Sequence, residues 1–285
     1  MSVVSAAVRA ALAPTGILRA GINLSNFLLV SSRGPNGEPV GVAPDLAAAL
    51  ARRIGVPLQL VPYANPGLLG DAATCDEWDV GLIGAEPKRA ETIAFTAPYA
   101  EIEATFMVLP DRGLDTVADV DRPGVRVCVS ARAAYDLWLT ANLQSASLTR
   151  TEEPGLERSR KLFDSGEFDA LAGLRPWLLD QARRLALSRT LPRASARFCT
   201  LSHASARTRA LTGASPSQVE TAPAGTRVLD GSFTSVQQAI GTPRARGDGG
   251  TTLFLEQFVA EAKASRVASL IEKHGQTGRL VVPQQ

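Results

Sequence analysis

Apolar positions along the first third of the chain alternate between short continuous runs and a helical repeat. The runs "ILRAGIN", "VPLQLVPY" and residues 79–83 predict strands, whereas "PDLAAALARRIG" predicts a helix that Asp45 caps and Gly55 ends. The segment "LLGDAATCDEW", before the third strand, is weakly helical. This order of strands and helices predicts a parallel sheet that helices cover on both faces.

The same order recurs further along the chain, with "GVRVCVS", "ASLTRT" and "FDALAG" as strands and "AAYDLWLTANL" and "PGLERSRKLFDSG" as helices. A second sheet is therefore predicted. The segments "EWDVGLIGAEPKR" and "GEFDALAGLRPWL" are weak copies of one another, each with an aromatic residue, an aspartate, an apolar strand and a turn with arginine and proline. Because ligands bind outside the carboxyl ends of open parallel sheets, each sheet is expected to present one arginine, Arg89 and Arg175.

The composition changes between residues 186 and 226, where Ser, Ala, Thr and Arg dominate and no periodic apolar face is present. A structureless segment of this length predicts a disordered insert, with a basic interaction arm as the alternative. Ordered structure is expected to resume at "SFTSVQQAIGTP". The C-terminal "TTLFLEQFVAEAKASRVASLIEKHG" then predicts helical structure that Gly275 ends.

Composition limits the classes of protein and partner. A length of 285 residues suits two lobes, and 45% hydrophobic with 20% charged residues is typical of a soluble globular chain. A net charge of +2 indicates neither nucleic acid nor an anionic membrane as a partner, and favours a small-molecule ligand. The three widely spaced cysteines lack a C-x-x-C pair and predict free, mostly buried thiols, with no disulfide framework and no metal site.

The N-terminal segment has neither the apolar length of a membrane span nor the apolar block of a secretory signal. We therefore expect a soluble chain without a recognisable targeting signal. A leader that has been removed is the alternative.

Several segments together carry a family resemblance. "LRAGIN", "GEPVGVAPDLAAALARRIGVPLQLV", "WDVGLIGAEPKRAETIAFTAPY", "ADVDRPGVRVCVSARAAYDLWL" and "SVQQAIGTPR" occur in this order along the chain. In content, order and spacing they resemble the family 3 extracellular solute-binding proteins, the receptors of amino-acid-type uptake transporters. The resemblance covers nearly the whole chain apart from the N-terminal segment and the insert, and residues 79–99 are its most diagnostic block.

The resemblance implies an α/β fold, a two-lobed, periplasmic-binding-protein-like (type II) clamp. Each lobe would be a mostly parallel sheet flanked by helices, and two crossing strands, near residues 101–109 and 231–242, would form the hinge. Lobe one would comprise residues 16–104 and 235–285. Lobe two would comprise residues 105–234, including the insert at 186–226.

In lobe one the resemblance places the ligand-clamping arginine at Arg89, just before the "F-[ST]-x-P-Y" run. Its planar guanidinium suits bidentate recognition of a carboxylate, and a solvated arginine at a helix start is the alternative. Backbone N–H groups of Gly84 and Ala85 would be further donors. Asn23 and Asn26 lie where many relatives have pocket-lining residues, although both could simply shape a turn.

In lobe two the family usually opens a helix with Gly-Ser or Gly-Thr, whose N–H groups meet the ligand carboxylate. This chain has Arg132 and Ala133 there. The hydroxyl is missing, so the backbone N–H groups of Ala133 and Ala134 are the predicted donors. Arg132 adds either a positive wall or an obstruction.

Amino-acid receptors of the family commonly place an aspartate after the last strand of lobe two, where it pairs with the ligand ammonium. Here we assign Arg175 to that position. Because a cation repels an ammonium, this favours an organic acid or dicarboxylate between Arg89 and Arg175 over a plain amino acid. Glu101 or Glu103 would be the alternative partners of an ammonium group, and Arg175 could instead be an exposed residue at a helix start.

The predicted function is binding of a small carboxylate-bearing solute, an amino acid or organic acid, in the cleft between the lobes. The chain would be the monomeric substrate-binding component of a membrane transporter complex, with no cofactor. The resemblance implies a periplasmic or extracellular location. The cytoplasm is the alternative, since no signal peptide is visible.

Enzymatic activity is not expected, because the chain has no G-x-S-x-G, H-E-x-x-H or phosphate-loop motif. Cyclohexadienyl (arogenate) dehydratases use the same clamp and stay the enzymatic alternative. Their chemistry would need an acid with a raised pKa in the cleft, for which Glu101 and Glu103 are the candidates. A ligand-sensing module that uses the insert is a third hypothesis.

Overall fold

A computed structural model of the protein describes residues 4–151, 156–190 and 225–284. The helices are α1 Ala6–Leu12, α2 Val42–Ile54, α3 Pro66–Asp71, α4 Pro87–Ala90, α5 Ala134–Asn142, α6 Glu157–Asp164, α7 Arg175–Thr190, α8 Gly249–Ser265 and α9 Val267–Lys273. The strands are β1 Leu18–Asn23, β2 Ser32–Arg33, β3 Pro39–Val40, β4 Leu58–Tyr63, β5 Val80–Gly84, β6 Ile93–Phe95, β7 Ala100–Val108, β8 Arg126–Ser130, β9 Ser147–Thr151, β10 Ala170–Leu174, β11 Arg227–Val228 and β12 Thr234–Pro243.

The main sheet runs in the order β4-β1-β5-β12-β7-β10-β8-β9. On the lobe-one side, β1 is parallel to β4 and β5, and on the lobe-two side β8 is parallel to β9 and β10. Both predicted parallel arrangements are therefore present. They are joined in one hydrogen-bonded sheet, which corrects the expectation of two separate ones.

The junction is made by the long strands β7 and β12, which pair antiparallel from Ala100 and Gln238 to Ala104 and Thr234. Beyond that segment, β12 continues along β5 in lobe one and β7 continues along β10 in lobe two. Each strand is thus shared by both lobes, as crossing strands of a hinge must be. The lobe boundaries proposed from the sequence stay a prediction.

The predicted insert, residues 186–226, lies largely outside the described residues, and so does Pro154 near the predicted start of α6. At the beginning of the insert, α7 continues to Thr190. The free cysteines in the described part differ in environment, since Cys128 is buried and Cys75 is exposed.

Helix α2 begins earlier than predicted. Gly41 is its N-cap, and Asp45 lies inside the first turn. The Asp45 carboxylate instead binds the C-terminal segment, at 2.6 Å from Lys273 Nζ and 2.8 Å from His274 Nε2. Gly55 ends the helix as predicted, with a left-handed φ of 78° that glycine adopts readily.

Asp79, which precedes β5, and Asp169, which precedes β10, make equivalent hydrogen bonds in the two lobes. Asp79 accepts from the backbone N–H of Arg19 at 2.8 Å and from its Nε at 3.2 Å. Asp169 accepts from the backbone N–H of Arg126 at 2.9 Å and from its Nε at 3.1 Å. The two sequence copies are therefore structurally equivalent at the amino ends of β5 and β10.

Candidate ligand-binding site

The parallel strands of both lobes end around one cavity of about 70 Å³. The last residues of β1, β5, β8 and β10 all line it, namely Asn23, Gly84, Ser130 and Leu174. Open parallel sheets bind ligands at this edge. The cavity lies between the lobes, where a ligand would contact both.

Most of the residues predicted from the sequence come together here. The cavity is lined by Asn23, Asn26, Gly84, Arg89, Ala133 and Ala134. The asparagines also shape the turn after β1, because Asn23 Oδ1 accepts from the Ser25 hydroxyl at 2.8 Å and Asn26 Oδ1 accepts from the Leu28 N–H at 3.3 Å. Turn formation and cavity lining, posed as alternatives, therefore occur together.

Arg89 is the third residue of α4 and is only 7% exposed. Its Nη1 donates to the Gly84 carbonyl oxygen at 2.8 Å and its Nη2 to that of Arg132 at 2.9 Å. Among the described residues, none places a carboxylate within ion-pair distance of this guanidinium. Burial lowers the pKa of Arg89 to about 10, although the nearby charge of Glu86 opposes the shift. An anion in the cavity would supply the missing counter-charge.

Arg132 does not line the cavity but bridges the lobes beside it. Its backbone is left-handed, with φ of 60°. Its Nη2 donates to the Gly67 carbonyl oxygen at 3.1 Å and to Asp71 Oδ1 at 2.5 Å, both in lobe one. Its backbone N–H donates to Asp136 Oδ2 at 2.7 Å. The expected positive wall or obstruction is thus an inter-lobe contact outside the cavity.

Ala85 and Arg175 do not have the predicted roles. The Ala85 N–H donates to the Gln237 carbonyl oxygen at 2.7 Å and is therefore already engaged. Arg175 Nη1 donates to the carbonyl oxygens of Leu229 at 3.0 Å and Gly231 at 2.7 Å. Arg175 and Glu103 line a separate depression, and their Nε and Oε2 atoms are 3.4 Å apart.

The phase of the helix explains why Arg175 misses the cavity. Arg89 is the third residue of its helix, whereas Arg175 is the first residue of α7. Two positions on an α-helix are ~200° apart around its axis, so the side chains point in nearly opposite directions. The predicted clamp of two arginines does not form, and Leu174 is the residue that β10 presents to the cavity.

The proposed ammonium partners also lie elsewhere. Glu101 accepts from Gln237 Nε2 at 2.8 Å, along the pair of crossing strands. Glu101 and Glu103 are both absent from the cavity lining. The acidic residue that does line it is Glu157, at the start of α6, which the sequence reasoning missed.

Sequence reasoning also missed the apolar wall of the cavity. It consists of Phe27, Tyr135, Leu156, Leu174, Trp177 and Val236. The Arg279 guanidinium lies 5.8 Å from the centre of the Phe27 ring and pairs with Asp180 of α7. The available signal was the position of Phe27 directly after Asn26, in a turn where the sequence already predicted pocket-lining residues.

Glu86, the N-cap of α4, lies beside the Arg89 guanidinium. Burial raises the pKa of Glu86 to about 7, and the charge of Arg89 partly opposes the rise. Its carboxyl group therefore titrates close to neutral pH.

Neither a metal-ligand cluster nor a membrane-spanning helix is present in the described ranges. No group of three or more His, Cys, Asp and Glu side chains there is placed to hold a metal ion. Among the helices of those ranges, none combines the length and apolar character needed to cross a membrane.

The fold is similar to that of solved binding proteins. The crystal structure of an ancestral amino acid-binding protein, described as a precursor of cyclohexadienyl dehydratase, matches with a TM-score of 0.63 and 20% sequence identity. The match covers 93% of this chain and 98% of that one. It shows the two-lobed α/β fold that the sequence predicted.

Curated relatives match over shorter stretches. The cyclohexadienyl dehydratase of Pseudomonas aeruginosa is 28% identical over 138 residues, which is 47% of this chain and 51% of the relative. The octopine-binding periplasmic protein of Rhizobium meliloti is 33% identical over 93 residues, 32% of this chain and 30% of the relative. The chain therefore matches about half or less of the length of these relatives.

The family itself follows from a match over most of the chain. The sequence profile of the bacterial extracellular solute-binding proteins, family 3, aligns with residues 19–277. This range includes β1 except for Leu18, the cavity residues of both lobes and the crossing strands. The chain belongs to the bacterial extracellular solute-binding proteins, family 3.

Proposed function

We propose that this chain binds a small carboxylate-bearing solute between its lobes and that Arg89 binds the carboxylate. The observation that carries the proposal is the environment of Arg89. Its guanidinium is 7% exposed and donates to backbone carbonyl oxygens, and among the described residues none places a carboxylate within ion-pair distance of it, although the carboxyl group of Glu86 lies nearby. A buried cation costs free energy unless it is paired, and a carboxylate matches its planar donors.

Lobe two would contribute backbone donors to the same carboxylate. Ala133 is the N-cap of α5 and Ala134 its first residue, and both line the cavity. No side chain caps this helix start. The Ala133 N–H makes only a long hydrogen bond, 3.5 Å to the Ser130 carbonyl oxygen, and the first N–H groups of a helix lack partners within the helix. A carboxylate held by Arg89 and by these groups contacts both lobes and therefore stabilises the closed arrangement.

The wider role that fits this site is the substrate-binding component of an uptake system for amino acids or organic acids. Membership of the solute-binding family supports a membrane transporter as the partner and a periplasmic or extracellular location. The relative named as an octopine-binding periplasmic protein supports the same role. We propose that the chain acts as a monomer.

Thermal unfolding with panels of amino acids and amine-free carboxylates tests the proposal. A ligand at about a hundred times its dissociation constant adds ~2.7 kcal/mol to the free energy of unfolding. For a chain of this size the unfolding midpoint rises by about 5–10 °C. Arg89→Ala should abolish the rise, while Arg52→Ala, which removes an exposed arginine on α2, should keep it. No response from either panel, or a full response in Arg89→Ala, would contradict the proposal.

An elimination enzyme is the second candidate, favoured by the dehydratase relative and by the raised pKa of Glu86 beside Arg89. Incubation with prephenate and detection of an aromatic product tests it. Product formed by the wild type but not by Glu86→Gln would replace the binding function with an enzymatic one. We expect no product, because Glu86 does not line the cavity.

A further inference from the structure

The crossing strand β12 places an uncharged polar side chain in the cavity. Gln238 is 4% exposed and lines the cavity together with Val236, two positions before it on the same strand. Alternate residues of a strand point to the same face, so this face of β12 forms part of the cavity wall. Because β12 crosses between the lobes, Gln238 lies where the two lobes meet.

The side-chain amide of Gln238 has no hydrogen-bond partner among the described residues. The neighbouring Gln237 differs, since its Nε2 donates to Glu101 Oε1 at 2.8 Å. Buried polar side chains in folded proteins are normally hydrogen-bonded, because an unpartnered one costs free energy. The cavity is the space from which a partner for the Gln238 amide can come.

Gln238 lies next to the position proposed for the ligand carboxylate. It is directly opposite Gly84 in the antiparallel pair of β12 and β5, and the Gly84 carbonyl oxygen accepts from Arg89 Nη1 at 2.8 Å. Opposite residues on antiparallel strands have Cα atoms ~4.5–5.5 Å apart. The amide can therefore reach a substituent on the ligand carbon beside the carboxylate, C2 of the acid.

The charges of the lining do not suit an ammonium group at that position. Apart from Arg89, the buried polar side chains that line the cavity carry no charge, namely Asn26, Ser130, Tyr135 and Gln238. Glu157 lines the cavity but is exposed, and Glu86 lies beside Arg89 outside the lining. Burying an ammonium group without a buried counter-charge is costly.

A hydroxyl group fits the Gln238 amide better. The amide offers a donor in Nε2 and an acceptor in Oε1, and a hydroxyl group both donates and accepts, whereas an ammonium group only donates. The prediction of a ligand without an amine depended on Arg175, whose guanidinium lies outside the cavity. The uncharged surroundings of Gln238 support such a ligand on a different ground.

The size of the cavity limits the ligand. One water needs ~10–15 Å³ of such space, so a cavity of about 70 Å³ has room for about five waters. It is far below the ~300–1,000 Å³ of pockets for drug-sized ligands. A compact acid with a very short side chain matches this volume.

We propose that Gln238 determines the specificity of the site by hydrogen bonding to a hydroxyl group on C2, and that the ligand is a compact 2-hydroxy carboxylate. This inference rests on the proposed function, because Arg89 holds the carboxylate. It adds a residue of a crossing strand to the site. The ligand would therefore contact the hinge as well as the two lobes.

Lactate, propionate and alanine are matched probes, since they differ only in the substituent on C2, which is a hydroxyl group, a hydrogen atom or an ammonium group. Both enantiomers of lactate and alanine are titrated by calorimetry, and the tighter one of each is compared. The wild type should bind lactate about five-fold or more tightly than propionate, the effect of one or two neutral hydrogen bonds. It should also bind lactate more tightly than alanine.

Two variants separate hydrogen bonding from a structural role. Gln238→Leu keeps the size of the side chain but removes its donor and acceptor, so lactate should bind no more tightly than propionate. Gln238→Glu supplies a counter-charge, so the ratio of alanine affinity to lactate affinity should rise by about ten-fold or more, typical of a charge-assisted hydrogen bond. A merely structural role would lower all three affinities alike and leave these ratios unchanged.

Gln59→Leu is the control, because Gln59 is an exposed residue of strand β4 in lobe one. It should retain the preference for lactate. The unfolding midpoint of each unliganded variant, compared with the wild type, reports whether it folds. If Gln238→Leu does not fold, the wild-type affinities and the ratio in Gln238→Glu decide.

Binding of propionate or alanine by the wild type as tightly as lactate would overturn the inference. A preference for lactate that Gln238→Leu retains, or an unchanged ratio in Gln238→Glu, would overturn it too, and so would binding of none of the three acids. In that last case the proposed function would stand if a larger carboxylate from the panels bound the wild type and not Arg89→Ala. It would fall as well if no carboxylate bound.

Discussion

Arg89 donates from Nη2 to the backbone carbonyl oxygen of Arg132 at 2.9 Å, and this hydrogen bond joins lobe one to lobe two. Arg132 bridges in the opposite direction, from its Nη2 to Gly67 and Asp71 of lobe one. The fit is close, since a Cβ added at Gly67 would lie 2.7 Å from Arg132 Cζ. The two lobes therefore make polar contacts with each other that do not require a ligand.

Arg132→Ala should shift the unliganded protein towards an open arrangement. The ion pair with Asp71 is half-exposed, at 51% and 61% for the two side chains, so its loss should cost only ~0–1 kcal/mol. Small-angle X-ray scattering should then give a larger radius of gyration for the unliganded variant, and a similar one once ligand is bound. Asp71→Asn should have the same effect. Unchanged scattering in both variants would mean that these contacts do not hold the lobes.

Carboxylate affinity should fall as pH rises through about 7. Burial gives Glu86 a pKa of about 7 in the folded protein, against an ordinary 4.5. Below about 7 it is neutral, whereas above about 7 its negative charge lies beside Arg89 and repels an incoming carboxylate. Calorimetric titrations on either side of that value measure the effect.

Glu86→Gln should bind the same ligand with little dependence on pH over that range. The raised pKa of Glu86 also predicts how the free energy of unfolding depends on pH. Because the pKa is higher in the folded protein, the contribution of Glu86 to stability is fully present below about pH 4.5 and is lost as the pH rises through about 7. A wild-type affinity that rises with pH would contradict the assigned interaction between Glu86 and Arg89.

Asp169 should stabilise the folded protein near neutral pH, and this stabilisation should be lost in acid. Burial alone would raise its pKa, but hydrogen bonds and charge from Arg126, with the charge of Arg112, hold it below the ordinary value. A lowered folded pKa means that the contribution is present above about 3.8 and is lost as pH falls through the folded value.

Asp169→Asn should therefore lose about 1.5–3 kcal/mol near neutral pH, typical of hydrogen bonds to a charged group. Its unfolding midpoint should fall less than that of the wild type on acidification. Asp111→Asn, at an exposed aspartate of the same lobe, should follow the wild type. Equal acid sensitivity in Asp169→Asn and the wild type would exclude this role.

Most of the fold could be predicted because its signals are local. The apolar runs of β1, β5, β8 and β10 are continuous, and the aspartate before β5 and before β10 marks the repeated unit. The predicted start of α2 was wrong, because aspartate is a common N-cap residue and Asp45 was taken for the cap. In the structure Gly41 is the N-cap, and Asp45 binds Lys273 and His274, which are distant in the sequence. Contacts between distant segments leave no local pattern.

The site was predictable only in part, for two physical reasons. Arg175 was misassigned because the direction of a side chain depends on where its helix begins, and α7 begins at Arg175 itself. Phe27 lies in the turn after β1 and Trp177 in the first turn of α7. Both were missed because an apolar side chain there has the same sequence signature whether it packs in a core or faces a cavity. Glu157 is an acid in the first turn of a helix, a common position that by itself indicates no ligand.

A crystal structure of the protein with a ligand that stabilises it tests the role of Arg89 most directly. We expect the ligand carboxylate in the cavity between the lobes, with its oxygens ~2.7–2.9 Å from the Arg89 guanidinium nitrogens. A ligand whose carboxylate lies elsewhere, with Arg89 still bound only to the carbonyl oxygens of Gly84 and Arg132, would contradict it.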